Sequence, residues 1–429
     1  MKTNLMKSFL KGATVLVAVF GISSVMSSCS NEEEVAIDGK TRAATIITEN
    51  VTSNTTWSGE IELAKKIAVT NGATLTIQAG TKIYGQATGN PNDATALIIT
   101  KGAKINAIGT ATNPIVMSAK NGQVGGWGGL VVLGNAPINQ TATQYIEGIV
   151  EGSLPGVDTS YGGNDSNDNS GTLRYVRVEY AGATIGENNE LNSFTFGGVG
   201  AGTTIDHCQA YFGDDDGFEF FGGCVNATYL VATGTTDDSF DFDFGYTGKI
   251  QFAVSTVASS RLTSDPNGIE CDNDKAGSSA TPYTHPVLSN FTLIGSTTGT
   301  SLKSAANFRR NCQFTLVNSI LYGFPTGILC QTTNSNVFKN NVVNAINTTY
   351  SGITADATNT TAATVAAIGL TNAWGTYKNQ TNLRPNATPA IDSADFSTLD
   401  SWFASTDYVG AIAPTSAGAN WLMVGTWVR

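Results

Sequence analysis

The chain has 429 residues, a formal net charge of −11 and only 13% charged residues, about half the usual share. Its 23 basic residues form no cluster beyond Arg309-Arg310, which argues against nucleic acid as a partner. Gly, Thr, Asn and Ala fill the gap, a composition suited to many turns and short strands rather than to helices.

The first element, residues 1–28, reads as a signal peptide. Lys2, Lys7 and Lys11 give a positive start, Ala13 to Met26 is an apolar run too short for a stop-transfer helix, and small Ser27 and Ser28 precede Cys29. Removing those three lysines takes the formal charge from −11 to −14. The junction resembles the lipobox of a bacterial lipoprotein, although Met26 stands where Leu or Val is more usual; an ordinary signal peptide with a chance cysteine is the alternative. Glu32-Glu33-Glu34 and the two residues before them resemble the acidic tract that sends Bacteroidetes lipoproteins to the outer face of the outer membrane. The resemblance implies lipidation at Cys29, an outer-membrane, surface-exposed location, and membrane attachment through acyl chains alone. No later stretch is apolar enough to span. Residues 29–45 lack periodicity and read as an acidic tether.

From residue 46 the chain repeats. Val69 to Ile77 is answered 30 residues later by Ile99 to Ala107, each a short strand, a turn at Asn71-Gly72 or Lys101-Gly102, and another strand. Gln86 to Thr95 is a Gly, Asn and Pro-rich insertion, and Trp127 to Gly134 reads as a buried strand with a glycine corner. Residues 152–171 form the longest candidate loop, after which Leu173 to Tyr180 resumes the strand pattern. The sharpest repeat follows. Asp215-Asp216-Gly217-Phe218-Glu219-Phe220 returns 22 residues later as Asp237-Asp238-Ser239-Phe240-Asp241-Phe242, then fades into Asn267 to Asp272. Asparagines recur at Asn290, Asn318 and Asn340-Asn341, where stacked side chains would suit a solenoid corner.

A fixed period of this size marks a repeat architecture in which each unit buries its apolar face against its neighbours. The alternation has period two, so Phe218, Phe220, Phe240, Phe242, Ile269 and Cys271 face one way. Glu219, Asp241 and Glu270, with Asp243 and Asp272 one step on, face the other. We therefore expect an all-β, right-handed parallel β-helix over residues 46–395, of roughly ten to fourteen coils and some 50 to 65 Å long at ~4.8 Å per coil. A β-sandwich would not explain two internal alignments sharing one strand-turn-strand order. Open coil ends expose strand edges, so residues 46–66 are expected to cover the first coil and the aromatic-rich segment 396–429 to cap the last. Trp402, Phe403, Tyr408, Trp421 and Trp427 in that segment could otherwise form a glycan-stacking platform.

The stacked carboxylates admit three readings. Neighbouring acids cannot all stay ionised without raised pKa values or a cation between them. Ca²⁺, which takes six to eight oxygens, suits such a row, with Asp216, Glu219, Asp238, Asp241, Asp243, Glu270 and Asp272 as candidate ligands. Zn²⁺ is disfavoured, because His207 and His285 lack ligand spacing. The acids could instead cap turn amides, or a pair could serve as a glycosidase acid and base. Arg309 and Arg310 could neutralise Glu270 or bind an anionic sugar. Beyond Cys29 the cysteines are odd in number and irregularly spaced, and read mainly as small buried hydrophobes; a single disulfide is the other option.

The turn glycines, Gly126 to Leu130, Asp215 to Gly223, and Asp241 to Asp243 with Gly245 to Phe252 resemble a group of Bacteroidetes exported β-helix lipoproteins of pectin-lyase-like fold. The likeness covers nearly the whole mature chain. A narrower string, Ile205-Asp206-His207-Cys208 followed by Asp214 to Gly217, resembles pectate lyases. That likeness implies Ca²⁺ held between carboxylates of neighbouring coils and an arginine base, for which Arg261 and Arg309 fit by position only. No complete catalytic set accompanies it, and no Arg-x-Pro-x-x-Arg motif is present. The primary expectation is a non-enzymatic surface module for glycans or envelope proteins. The alternative is a Ca²⁺-dependent polysaccharide lyase or glycoside hydrolase acting on acidic polysaccharide.

Overall fold

The computed structural model describes residues 43–86, 94–186, 189–258, 266–296, 302–362, 368, 370, 383–385, 387–414 and 420–429. The chain divides into two units, Met1–Arg42 and Ala43–Arg429, of which only the second lies among these residues. Cys29, Glu32 to Glu34 and Arg261 fall outside them.

The second unit is a right-handed parallel β-helix. Its main sheet contains 25 strands, joined in three parallel columns. One column begins Thr45–Ile47, Glu60–Leu63, Lys82–Gly85 and Ile115–Ala119, continues through Gly171–Glu179 and its successors, and ends at Thr360–Thr361. That makes twelve rungs among the described residues, within the expected range. The 30-residue and 22-residue periods both appear as register: Leu75 pairs with Ile105, and Phe218 with Phe240.

Period-two patterning decides what is inside. Phe194, Phe218 and Phe240 stack with centroids 4.8 and 5.6 Å apart, and Phe196, Phe220 and Phe242 with centroids 5.0 and 5.4 Å apart. All six rings are fully buried. Burying each contributes about 2–3 kcal/mol, and the offset stacks add direction to the column. Cys208, Cys271, Cys312 and Cys330 are buried free thiols, and Cys224 is half-buried and free.

Two expectations about the ends change. Residues 46–66 do not lie over the first coil; they form it, with Thr45–Ile47 paired to Glu60–Leu63 and Thr55–Trp57 to Thr74–Ile77. The described residues of the segment 396–429 run along the side of the rod instead of closing its last coil. Asp395 N–H donates to Asn318 Oδ1, Ala404 N–H to Gln251 Oε1, Thr426 N–H to Ala111 O, and Arg429 N–H to Gln209 Oε1. It is a strap that doubles back, since Gly410 N–H returns to Asn318 O after Ala404 has reached Gln251, before its end reaches the coils of Ala111 and Gln209.

The strap covers a corner built from residues in the left-handed region: Tyr175, His207, Tyr229, Phe252, Asn290, Asn318 and Asn340, with φ between 51° and 62°. Such positions cost non-glycine residues of order 1 kcal/mol each. Ring stacking offsets this for the aromatic members, His207 lying 4.5 Å from Tyr175 and 4.4 Å from Tyr229. The asparagines do sit at the corner, as the repeat implied, but Asn290 Nδ2 donates to Tyr408 O and Asn318 Nδ2 to Asp395 O. Asn341 bridges coils as expected, its Oδ1 accepting from Ser319 N–H and its Nδ2 donating to Leu316 O, while the amides of Asn290 and Asn318 also hold the strap.

Candidate metal centre on the acidic strand face

The carboxylates occupy the outer side of the column Phe194–Val199, Phe218–Gly223, Phe240–Asp243 and Ile269–Cys271. Register places Thr195, Glu219, Asp241, Glu270 and Asn307 side by side in that order. Inward phenylalanines fix this: with Phe218 and Phe220 in the core, Glu219 between them must face out.

Asp216 and Asp238 do a different job. Asp216 N–H donates to Asn192 Oδ1 at 3.2 Å, Asp238 N–H to Asp216 Oδ1 at 2.8 Å, and Asn267 N–H to Asp238 Oδ1. Each side chain satisfies the amide one coil on, the corner-capping reading of these acids. Both are buried, and burial first, then neighbouring carboxylates, raises each pKa well above the ordinary range.

At the far end arginine takes over. Arg309 pairs with Glu270 and, through Nε, with Asp272 Oδ1 at 2.8 Å; Arg310 reaches Asp272 Oδ2 at 2.6 Å. Asn267 and Asn307 also donate to Glu270 Oε1, at 3.1 and 3.0 Å. Burial still lifts the Glu270 pKa to about 7, against the lowering effect of Arg309. For Arg309 burial works downward, but the Asp272 hydrogen bond and the charges of Glu270, Asp272 and Asp241 carry its pKa above the ordinary value.

Glu219 and Asp241 lack such a cation. Asp216, Glu219 and Asp241 make no ion pair among the described residues, yet one oxygen of each lies within 4.8 Å of the others. Glu219 accepts from Asn192 Nδ2, while Asp241 Oδ1 is buried with no hydrogen-bond partner. Burial and then Asp241 raise the Glu219 pKa; burial and then Glu270 raise that of Asp241. Two oxygens on one Ca²⁺ stand up to about 5 Å apart, so the trio fits a single hard cation. Asp243 faces the same side; its Oδ1 accepts its neighbour Phe244 N–H at 2.6 Å, and burial raises its pKa.

Sequence reasoning missed three contributors. Asp215 and Asp237 join Asp216 in a second group with oxygens within 4.8 Å; their place in the repeat was the available signal. Tyr161, on the hairpin of Gln144–Tyr145 and Ser160–Tyr161, packs 6.1 Å from Phe221. Its buried hydroxyl lacks a partner, and burial, then Asp243 and Glu219, hold the phenol neutral. The second strand of that hairpin lies in the long loop of residues 152–171, and Asn139 Nδ2 donates to Asn273 O at 2.7 Å, tying the neighbouring segment 135–139 to residues 272–286.

The stacked coils, the inward aromatic ladders and this carboxylate face agree with a family model that the sequence matches, the pectate-lyase-like beta-helix domain, over residues 46–404. The chain belongs to that family. No curated protein and no solved structure shows significant similarity to it. The pectate-lyase-like domain thus accounts for the fold and fits a carbohydrate-related role.

Proposed function

We propose that this protein is a calcium-charged β-helix that binds glycan on its acidic strand face without cleaving it, held at the cell surface by lipid on Cys29. The observation that carries the reading is the Asp216–Glu219–Asp241 trio, with the buried, unpartnered Asp241 Oδ1 among its oxygens. A cation there would relieve carboxylate repulsion and leave coordination positions for sugar hydroxyls or uronate oxygens. The surface location is read from the export signal, Cys29 and the acidic residues after it, which resemble those of Bacteroidetes outer-membrane lipoproteins. An envelope protein is the other partner class this surface could engage.

The case against a lyase built on Arg309 is electrostatic. A base must shed its proton near the working pH, whereas Arg309 is held protonated by Glu270 and Asp272. One observation favours an enzyme of another kind. Glu219 and Asp241 are close, and their pKa values are raised, so a proton-donating carboxyl beside a second one would suit a retaining glycoside hydrolase, whose pair stands ~5 Å apart.

The test is retention of the mature protein on polygalacturonate and on neutral polysaccharides, with calcium and with chelator, alongside a reducing-end assay. Calcium-dependent retention without new reducing ends supports binding. New reducing ends that form without the unsaturated uronate left by β-elimination, and that vanish in Asp241→Asn, would establish the hydrolase.

A further inference from the structure

A second site lies on a different face of the rod, under the strap. Its floor is the outer side of three neighbouring strands, where Arg174, Asp206 and Thr228 stand in one register row and Thr204 and Asn226 in another. Arg174 Nε lies 2.7 Å from Asp206 Oδ2, and Thr228 Oγ1 donates to Asp206 Oδ1 at 3.3 Å. Trp402 from the strap forms one wall of the cavity above them, about 330 Å³ in volume. That is at the small end of the ~300–1,000 Å³ typical of ligand pockets, room for one or two sugar rings rather than a long chain.

Trp402 is fixed in place. Its backbone N–H donates to Asp400 Oδ1 at 3.0 Å, Asp400 pairs with Lys249, and Ala404 exchanges hydrogen bonds of 2.9 and 2.8 Å with the Gln251 side chain. Phe403 meets the indole edge-on at 4.9 Å. A tryptophan clamped on a turn yet half exposed, facing a floor of hydroxyl, amide, carboxylate and guanidinium groups, presents an apolar wall and a polar base. A pyranose has the matching shape, with C–H groups on one face and hydroxyls at its rim.

We propose that this cavity is a binding site for a neutral sugar unit, with Trp402 as the stacking platform and Arg174, Asp206, Asn226 and Thr228 as hydroxyl partners. Neutrality follows from Arg174 and the neighbouring His207 both being held by Asp206, which leaves no free cation for a uronate in a chain of net charge −11. The site needs no metal, so it stands apart from the acidic face.

The test is calorimetric titration of the full mature chain in chelator with cellotetraose, mannotetraose, xylotetraose and tetragalacturonate. A neutral tetrasaccharide should bind and shift tryptophan emission. Trp402→Ala should weaken it at least tenfold, Thr228→Val severalfold, and Trp402→Phe less than Trp402→Ala, while Asp241→Asn leaves it unchanged. Binding of none of the neutral sugars, equal affinity in Trp402→Ala and Thr228→Val, or preference for tetragalacturonate would each overturn the proposal.

Discussion

Asp241 lies directly beside Glu219 in the parallel register, one strand apart, and its Oδ1 is buried without a hydrogen-bond partner. Two like charges at such spacing destabilise the folded coil unless protons or a cation sit between them. Glu270, next in the row, titrates at about 7 rather than at its ordinary 4.5. A raised folded-state pKa means that the native protein binds more protons than the unfolded chain, so stability falls as pH rises. The contribution from Glu270 is fully present below about pH 4.5 and is lost through about pH 7. Metal-free protein should therefore melt at a lower temperature at pH 8 than at pH 5. Thermal melts in chelator across this range check it; a flat profile would remove the repulsion from the account.

Asp238 and Asp241, three residues apart, should respond oppositely to substitution. Asp238→Ala strips the acceptor from the Asn267 amide and should cost about 1–3 kcal/mol. Asp241→Asn removes a buried charge with no compensating bond and should stabilise the metal-free protein at pH 8. Urea unfolding of the two variants decides, with equal destabilisation the contrary result.

Arg309 holds two carboxylates, so Arg309→Ala should destabilise by about 2 kcal/mol at pH 8 and by less at pH 5, where Glu270 takes up a proton. Urea midpoints at both pH values read this difference. A loss independent of pH would assign Arg309 a packing role only.

The strap predicts where damage travels. Trp427 is buried, meeting Tyr175 and His207 edge-on at 5.8 and 5.2 Å. Trp427→Ala should cost about 3–5 kcal/mol and lower hydrogen-exchange protection around Tyr175 to Tyr229. Loss confined to Val342 to Thr361 would instead indicate a cap on the last coil.

The solenoid was legible because its signal is periodic: the Phe218–Phe220 and Phe240–Phe242 pairs carry side-chain direction and register together. What each acid does was less legible. Asp216 and Asp238 look like Glu219 and Asp241 in the repeat, but the first pair precedes its strand, where backbone amides need acceptors, and the second stands within it. Position relative to the strand, not composition, separates them. The course of residues 396–429 carried no periodic signal, so its lateral path and the cavity between Trp402 and Arg174 emerge only when distant segments meet. Tyr161 is likewise supplied by a loop whose sequence shows only that it is long.

The most direct measurement is calcium titration by calorimetry of the mature protein and Asp241→Asn at pH 8, with thermal melts of both. A calcium site at the trio predicts saturable binding and a calcium-raised melting temperature in the parent chain, with affinity at least tenfold lower and a smaller melting shift in the variant. No heat of binding and a calcium-insensitive melt would contradict it, and would leave Asp216, Glu219 and Asp241 as protonated groups of the coil.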